Sequence, residues 1–304
     1  MILQVLRFLF VRIWIIYLGL GCFAWFVFDR NSAMDNASAQ ALSRFNPTVK
    51  YFKLLDHSAG ESTRSQLHDC IYYHQMVANS FFYQAAEAYS MLGFCYERLG
   101  DEHKAQQAYQ KSMTINQAYM WPFYNLGVMA FRKADYPKAI DYFQQALERD
   151  PAQNVVLLNY SKVYMDVKST RPEEKYDFSQ GVRRSYSNAF LLLMVSLEQT
   201  KNYSRLFGVA LKGMQDNSLD QGLFYYYAGV AAFRLHLYDK AINFLQQAIN
   251  KEPRNADAFL YLSLCFKALG RDDLVNEFMA MGAKVNAQYG GWLKSQINTD
   301  VRFF

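Results

Sequence analysis

Two stretches of this chain are near copies of each other: Gly127–Pro151 (GVMAFRKADYPKAIDYFQQALERDP) and Gly229–Pro253 (GVAAFRLHLYDKAINFLQQAINKEP). They start 102 residues apart, three periods of 34. Laid over the chain without insertion, that period puts Gly93, Gly127, Ser161, Val195, Gly229 and Ser263 at one position of consecutive units. A fixed period of this length marks stacked helix-turn-helix units whose core grows along the stack, so the usual link between length and domain number does not apply.

The recurring residues have steric reasons to recur. In the unit starting at Ala86, Tyr89 and Leu92 fill the space between two helices, Gly93 lets them approach, and Tyr96 packs beyond; Ala105 meets the glycine from the second helix and Tyr109 closes the pair. The next unit repeats this with Phe123, Leu126, Gly127, Ala130, Ala139, Phe143, Ala146 and Pro151. The unit from Gly222 carries Tyr225, Ala228, Gly229, Ala232, Ala241, Leu245, Ala248 and Pro253. Each proline ends a second helix because it lacks a donor and clashes with the preceding turn.

These positions together resemble the tetratricopeptide repeat. The resemblance implies an all-α fold, a right-handed superhelical solenoid of about six antiparallel helix pairs over residues 86–287; the apolar N-terminal stretch is expected to add one transmembrane helix before it. Two central units, 154–187 and 188–221, depart from the pattern. Glu173, close to Pro172, replaces the small residue at the helix crossing, and in the next unit Phe207 stands there, or Leu206 if the frame slips by one. Irregular helix pairs are expected, their apolar faces built on Leu157, Tyr160 and Tyr164, then on Leu191, Met194 and Leu197. The unit from Ala256 is intermediate. Residues 40–85 read as an N-terminal helical cap or degenerate repeat, and 288–304 as a C-terminal cap.

Residues 1–30 form the expected signal-anchor. Ile13–Phe28 carries no charge, and the segment 8–28 is interrupted only by Arg12. As a helix it would reach about 31 Å, the depth of a bilayer's hydrocarbon core. Ala37-Ser38-Ala39 lies too far past the apolar run to favour cleavage, and the apolar residues after Cys22 argue against lipidation there. Arg7 and Arg12 precede the span while Asp29, Arg30 and Asp35 follow it, which places the N-terminus in the cytoplasm and the solenoid outside it, periplasmic in a diderm bacterium. Polar residues 31–39 form the linker.

A net charge of +5 spread along the chain does not define a nucleic-acid surface. Four cysteines, at 22, 70, 95 and 265, have neither CxxC nor zinc spacing. Their spacing leaves open whether Cys70 and Cys95 pair, which would require an oxidising compartment. Cys70 and His74 share a helical face near His68, yet no third ligand converges on them, so no metal or other cofactor is expected. There is no nucleophile elbow or glycine-rich phosphate loop, and hence no catalytic constellation.

The family resemblance instead implies a concave face lined by five places on each first helix, the second, fifth, ninth, twelfth and thirteenth. In this chain they hold Glu87, Ser90, Phe94, Glu97 and Arg98; then Trp121, Tyr124, Val128, Phe131 and Arg132; and later Leu223, Tyr226, Val230, Phe233 and Arg234. Ser90 and Phe94 replace the Lys and Asn that a carboxylate clamp would need. The candidate protein-binding groove is therefore Arg98, Trp121, Tyr124, Phe131, Arg132, Tyr226, Phe233 and Arg234, mixing aromatic rings with repeated arginines. An aromatic at these spacings also serves packing, and that competing role applies to each ring. The expected function is a membrane-anchored scaffold or assembly factor for a multi-protein envelope complex. The alternatives are a structural subunit of a membrane enzyme or a client-holding factor in secretion.

Overall fold

The computed structural model describes residues 61–78, 86–151, 178–216 and 220–289. Among them every regular element is helical: α1 (Glu61–Ala78), α2 (Ala86–Arg98), α3 (Glu102–Ile115), α4 (Trp121–Arg132), α5 (Tyr136–Leu147), α6 (Phe178–Gln199), α7 (Tyr203–Gly213), α8 (Gln221–Arg234), α9 (Tyr238–Lys251), α10 (Ala256–Ala268) and α11 (Asp272–Tyr289). The expected transmembrane helix, the linker and residues 290–304 of the C-terminal cap lie outside the described residues. Among the described residues no helix is long and apolar enough to cross a membrane.

The chain divides into two compact units, residues 1–108 with 161–175, and residues 109–160 with 176–304. In the first unit α1 packs against α2. Ala78, Ala88, Leu92 and Ala108 form a buried cluster extended by Ile71, Tyr89 and Tyr96. The unit is closed by a disulfide between Cys70 and Cys95, both fully buried. Polar stitches accompany it: the Tyr89 hydroxyl donates to the Ala78 carbonyl at 3.3 Å, and the Gln75 amide donates to the Tyr96 hydroxyl at 2.6 Å. His74, one turn beyond Cys70, is buried with its Nε2 unpartnered, and desolvation lowers its pKa to about 4.

One turn recurs throughout. After each described first helix the chain passes through a residue with positive φ: Gly100 (87°), Ala134 (56°), Lys201 (58°), His236 (62°) and Gly270 (70°). The next amide reaches back to a carbonyl five residues earlier, Asp101 to Tyr96, Asp135 to Ala130, Asn202 to Leu197, Leu237 to Ala232 and Arg271 to Phe266, at 2.8–2.9 Å. This six-to-one bond satisfies a carbonyl that the helix end would orphan and turns the chain back on itself. Asp101 and Asp135 then cap the following helix, their Oδ1 atoms accepting from the Lys104 and Lys138 amides.

The turn fixes the frame through the eroded centre. Lys201 stands where an unbroken period predicts position 202, so the frame has slipped by one residue. Leu206 is accordingly the fully buried residue of α7, while Phe207 is half-buried and meets the Phe244 ring edge-on at 5.8 Å. Most of the expected pair at 154–187 lies outside the described residues, which resume at Phe178. α6 is one 22-residue helix that runs across the expected boundary between residues 187 and 188. It packs directly on α4 and α5, in the place the period assigns to the first helix of the 154–187 unit. The Asn188 amide donates to the Tyr124 hydroxyl at 2.6 Å, and the Tyr186 hydroxyl donates to the Arg149 carbonyl. Within the second unit the pairs α4–α5, α6–α7, α8–α9 and α10–α11 thus follow one another, each packed on the next.

Candidate protein-binding face

The first helices carry the candidate residues, and burial sorts them. Trp121 and Tyr124 are fully buried and Tyr226 is 2% exposed, so these rings act as core. Trp121 stacks obliquely on Tyr119 at 5.1 Å, Tyr124 receives Asn188, and Tyr226 packs on Tyr227 and Tyr261. At the fifth place the adjacent first helix supplies part of the cover, with Asn188 of α6 on Tyr124 and Tyr261 of α10 on Tyr226. Val128 and Val230, at the ninth place, are fully buried as well.

The twelfth and thirteenth places stay open. Phe131 and Phe233 are half-buried, and Arg132 and Arg234 are exposed. Phe131 meets Tyr136 edge-on at 5.8 Å, and Phe233 meets Tyr238 at 5.9 Å, so each aromatic closes its own turn. The structure therefore brings Phe131 and Arg132 to one edge and Phe233 and Arg234 to another. Arg98, half-buried at the end of α2, belongs to the first unit.

Around Arg234 the structure assembles a cluster the sequence frame did not name. The guanidinium lies 5.8 Å from the ring centroids of Tyr203, Phe233 and Tyr261, and its Nη2 donates to the Tyr261 hydroxyl at 3.4 Å. Phe233 and Tyr261 meet edge-on at 5.7 Å. Glu198 of α6 and Asp257 of α10 are half-buried carboxylates, and the pKa of Tyr226 and Tyr227 is raised chiefly by burial, with smaller contributions from neighbouring tyrosines and from these two acids. Burial raises the pKa of both acids, and for Glu198 it outweighs the attraction of Arg234. Tyr227 is fully buried and its hydroxyl has no hydrogen-bond partner.

A signal for both acids exists in the sequence. Asp257 occupies the second place of the unit from Ala256. Glu198 sits at the eleventh place of an unbroken frame and at the twelfth once the slip is counted, because its carbonyl accepts from Lys201 as that of Phe233 accepts from His236. Elsewhere, Cys70 is bonded to Cys95 and so offers no thiolate beside His74. Burial pushes the Cys265 thiol up to about 12, which makes it a packing residue.

With this geometry established, comparison with known proteins assigns the repeats. Tetratricopeptide repeat models match residues 84–152 and 222–274, and the chain carries repeats of this type in both segments. The human Tetratricopeptide repeat protein 6 is 34% identical over 74 residues, a match that spans 24% of this chain and 14% of that protein. Among solved structures, MamA 41-end from Desulfovibrio magneticus RS-1 is 15% identical, with 67% of this chain and 96% of that one covered at a TM-score of 0.48. Pseudomonas aeruginosa PilF is 14% identical, with 88% and 96% covered at the same score.

Proposed function

We propose that this protein is a non-catalytic, membrane-anchored scaffold that binds other proteins through its repeats and assembles an envelope complex. The observation that carries this reading is the pair of open edges, Phe131–Arg132 and Phe233–Arg234, presented by first helices within the two tetratricopeptide-matched segments. Aromatic and arginine side chains dominate protein-binding hot spots. The anchor is residues 8–28, whose length and apolarity suit a bilayer. The buried Cys70–Cys95 disulfide supports an extracytoplasmic placement of the repeats independently of flanking charge, because such bonds persist in oxidising compartments.

The test is purification of the full chain from membranes in mild detergent. A fixed set of partners in constant ratio, lost on Arg132→Glu and Arg234→Glu without unfolding, is the expected result. Recovery of the protein alone as a monomer would overturn the reading. Many substoichiometric clients would favour a client-holding role, and constant association with a redox activity would favour an enzyme subunit. Alkylation of the denatured, unreduced protein checks the compartment: two of its four cysteines should react, and reaction of all four would place the repeats in a reducing environment.

A further inference from the structure

We propose that residues 290–304 fold back over the open face of the pair α10–α11 and take the place of a further first helix, with Leu293, Ile297, Val301 and Phe304 laid on Leu260, Leu264 and Met279. The inference goes beyond the protein-binding reading and does not depend on it. Exposure at equivalent places of the repeat supplies the first argument. The fifth place of a first helix is 0% exposed in Tyr124 and 2% in Tyr226, yet 45% in Leu260 of α10. The ninth place is fully buried in Val128 and Val230 and half-buried in Leu264. On the second helices Phe143 and Leu245 are fully buried, whereas Met279, at the same place of α11, is 52% exposed. What separates these pairs is the next one: α6 packs on α5 and α10 packs on α9, but no described helix follows α11. Apolar side chains thus stand uncovered at places that are core in the inner pairs, and covering them would remove apolar surface from water.

The sequence directly after α11 suits this face. Leu293, Ile297, Val301 and Phe304 recur at i, i+4, i+8 and i+11, the spacing of one side of a helix, while residues 294–296, 298–300 and 302 are polar. Length agrees as well. α10 has 13 residues, about 20 Å of helix at the standard rise, and residues 292–304 match it. The geometry of the pair sets the direction. A Cβ added to Gly282 would lie 3.1 Å from the Phe259 Cβ and 3.4 Å from the Ala256 carbonyl oxygen, so α11 brings its C-terminal half beside the start of α10. A segment turning back after Tyr289 therefore enters at the start of α10 and runs along it, as a further first helix would. Gly290 and Gly291 stand where that turn falls, and glycine is the residue that most readily takes the left-handed conformation ending a helix. So short a tether holds the segment at an effective concentration of order millimolar, which favours it over a second copy of the chain in dilute solution.

The experiment compares two methionines of α11 in the full chain, purified in detergent micelles and treated with dilute hydrogen peroxide. Met279 is 52% exposed and Met281 42%, so without a cover Met279 should be oxidised at least as fast as Met281. Met281 stands where α9 carries the exposed Gln247 and serves as the internal reference. A cover closed about nine-tenths of the time reverses that order and slows Met279 about tenfold, read by mass spectrometry of the sulfoxide at each position. Ile297→Asp with Val301→Asp should remove the protection, and Ser295→Asp, on the opposite side of the helix, should retain it. Equal or faster oxidation of Met279 in the unaltered chain would overturn the inference before any variant is made. Protection that survives the double substitution would overturn it too, and protection that vanishes on dilution would assign the face to a second copy instead.

Discussion

In the pair α4–α5, glycine stands on the first helix and a bulky ring on the second: a Cβ added to Gly127 would lie 2.7 Å from the buried Phe143 ring. The pair α8–α9 does the same with Gly229 and Leu245, at 2.6 Å. In α6–α7 the slipped frame reverses the sizes. Met194 holds the glycine's place and Ala210 the ring's, both fully buried, while Leu206 replaces the alanine found at 139 and 241. Similar volume fills the crossing from opposite sides. Packing density is what the fold preserves, and the identity of the residue at a given place is free to move.

The sharpest way to break this comparison is to transplant one solution into the other pair. Phe143→Ala should cost about 3–5 kcal/mol for the cavity it leaves, and Gly127→Met about 1–3 kcal/mol or more for overpacking. The double variant copies the α6–α7 arrangement and should recover at least half of the summed loss, read from denaturation midpoints. Strict additivity would mean that the two residues do not share one space.

A second contrast lies within the first unit, where His74 is the buried titratable group. Its folded pKa is depressed to about 4, so the unfolded chain takes up a proton first as pH falls. The contribution is intact above the ordinary histidine value near 6.5 and is lost progressively down to about pH 4, a decline of about 3 kcal/mol. His74→Phe should flatten that part of the profile. An unchanged slope between those limits would show that His74 protonates normally.

A smaller effect tests the shared turn. Ala134, Lys201 and His236 hold the positive-φ position that Gly100 and Gly270 fill elsewhere. Replacing any of the three by glycine should stabilise by about 1 kcal/mol, and Gly100→Ala or Gly270→Ala should destabilise by a similar amount. Neither glycine has an atom within 4 Å of an added Cβ, so the effect isolates backbone strain.

These residues also show how far the sequence could be followed. The period was legible because glycine, alanine and proline at the crossings answer to steric demands that hardly vary, and the helices of the two strong repeats lie where the period places them. The one-residue slip was legible only as an ambiguity between Leu206 and Phe207, because size had moved between helices and the positive-φ residue was a lysine. The direct seating of α6 on α4 and α5 had no local signal, since it depends on which helix reaches that place. The candidate face suffered most from this. Trp121, Tyr124 and Tyr226 have the composition of hot spots, yet all three are buried in the core, and Glu198 reaches the twelfth place only through the slip.

Glu198 offers the smallest effect and the most discriminating one. A carboxylate kept for structure should weaken the protein when neutralised, whereas one kept for a ligand should not. Burial raises the Glu198 pKa despite the pull of Arg234, so the folded state holds the proton more tightly than the unfolded chain does. Its contribution to stability is therefore most favourable at low pH, declines as pH rises past the ordinary glutamate value, and is least favourable above the folded-state value. At neutral pH Glu198→Gln should leave stability unchanged or raise it by less than about 1 kcal/mol, because the desolvation cost disappears with the charge. The equivalent Glu97 in the first unit is the control. A destabilised Glu198→Gln would make the carboxylate a partner of Arg234 in the fold. A stabilised variant would mark it as a residue held at a cost to the fold.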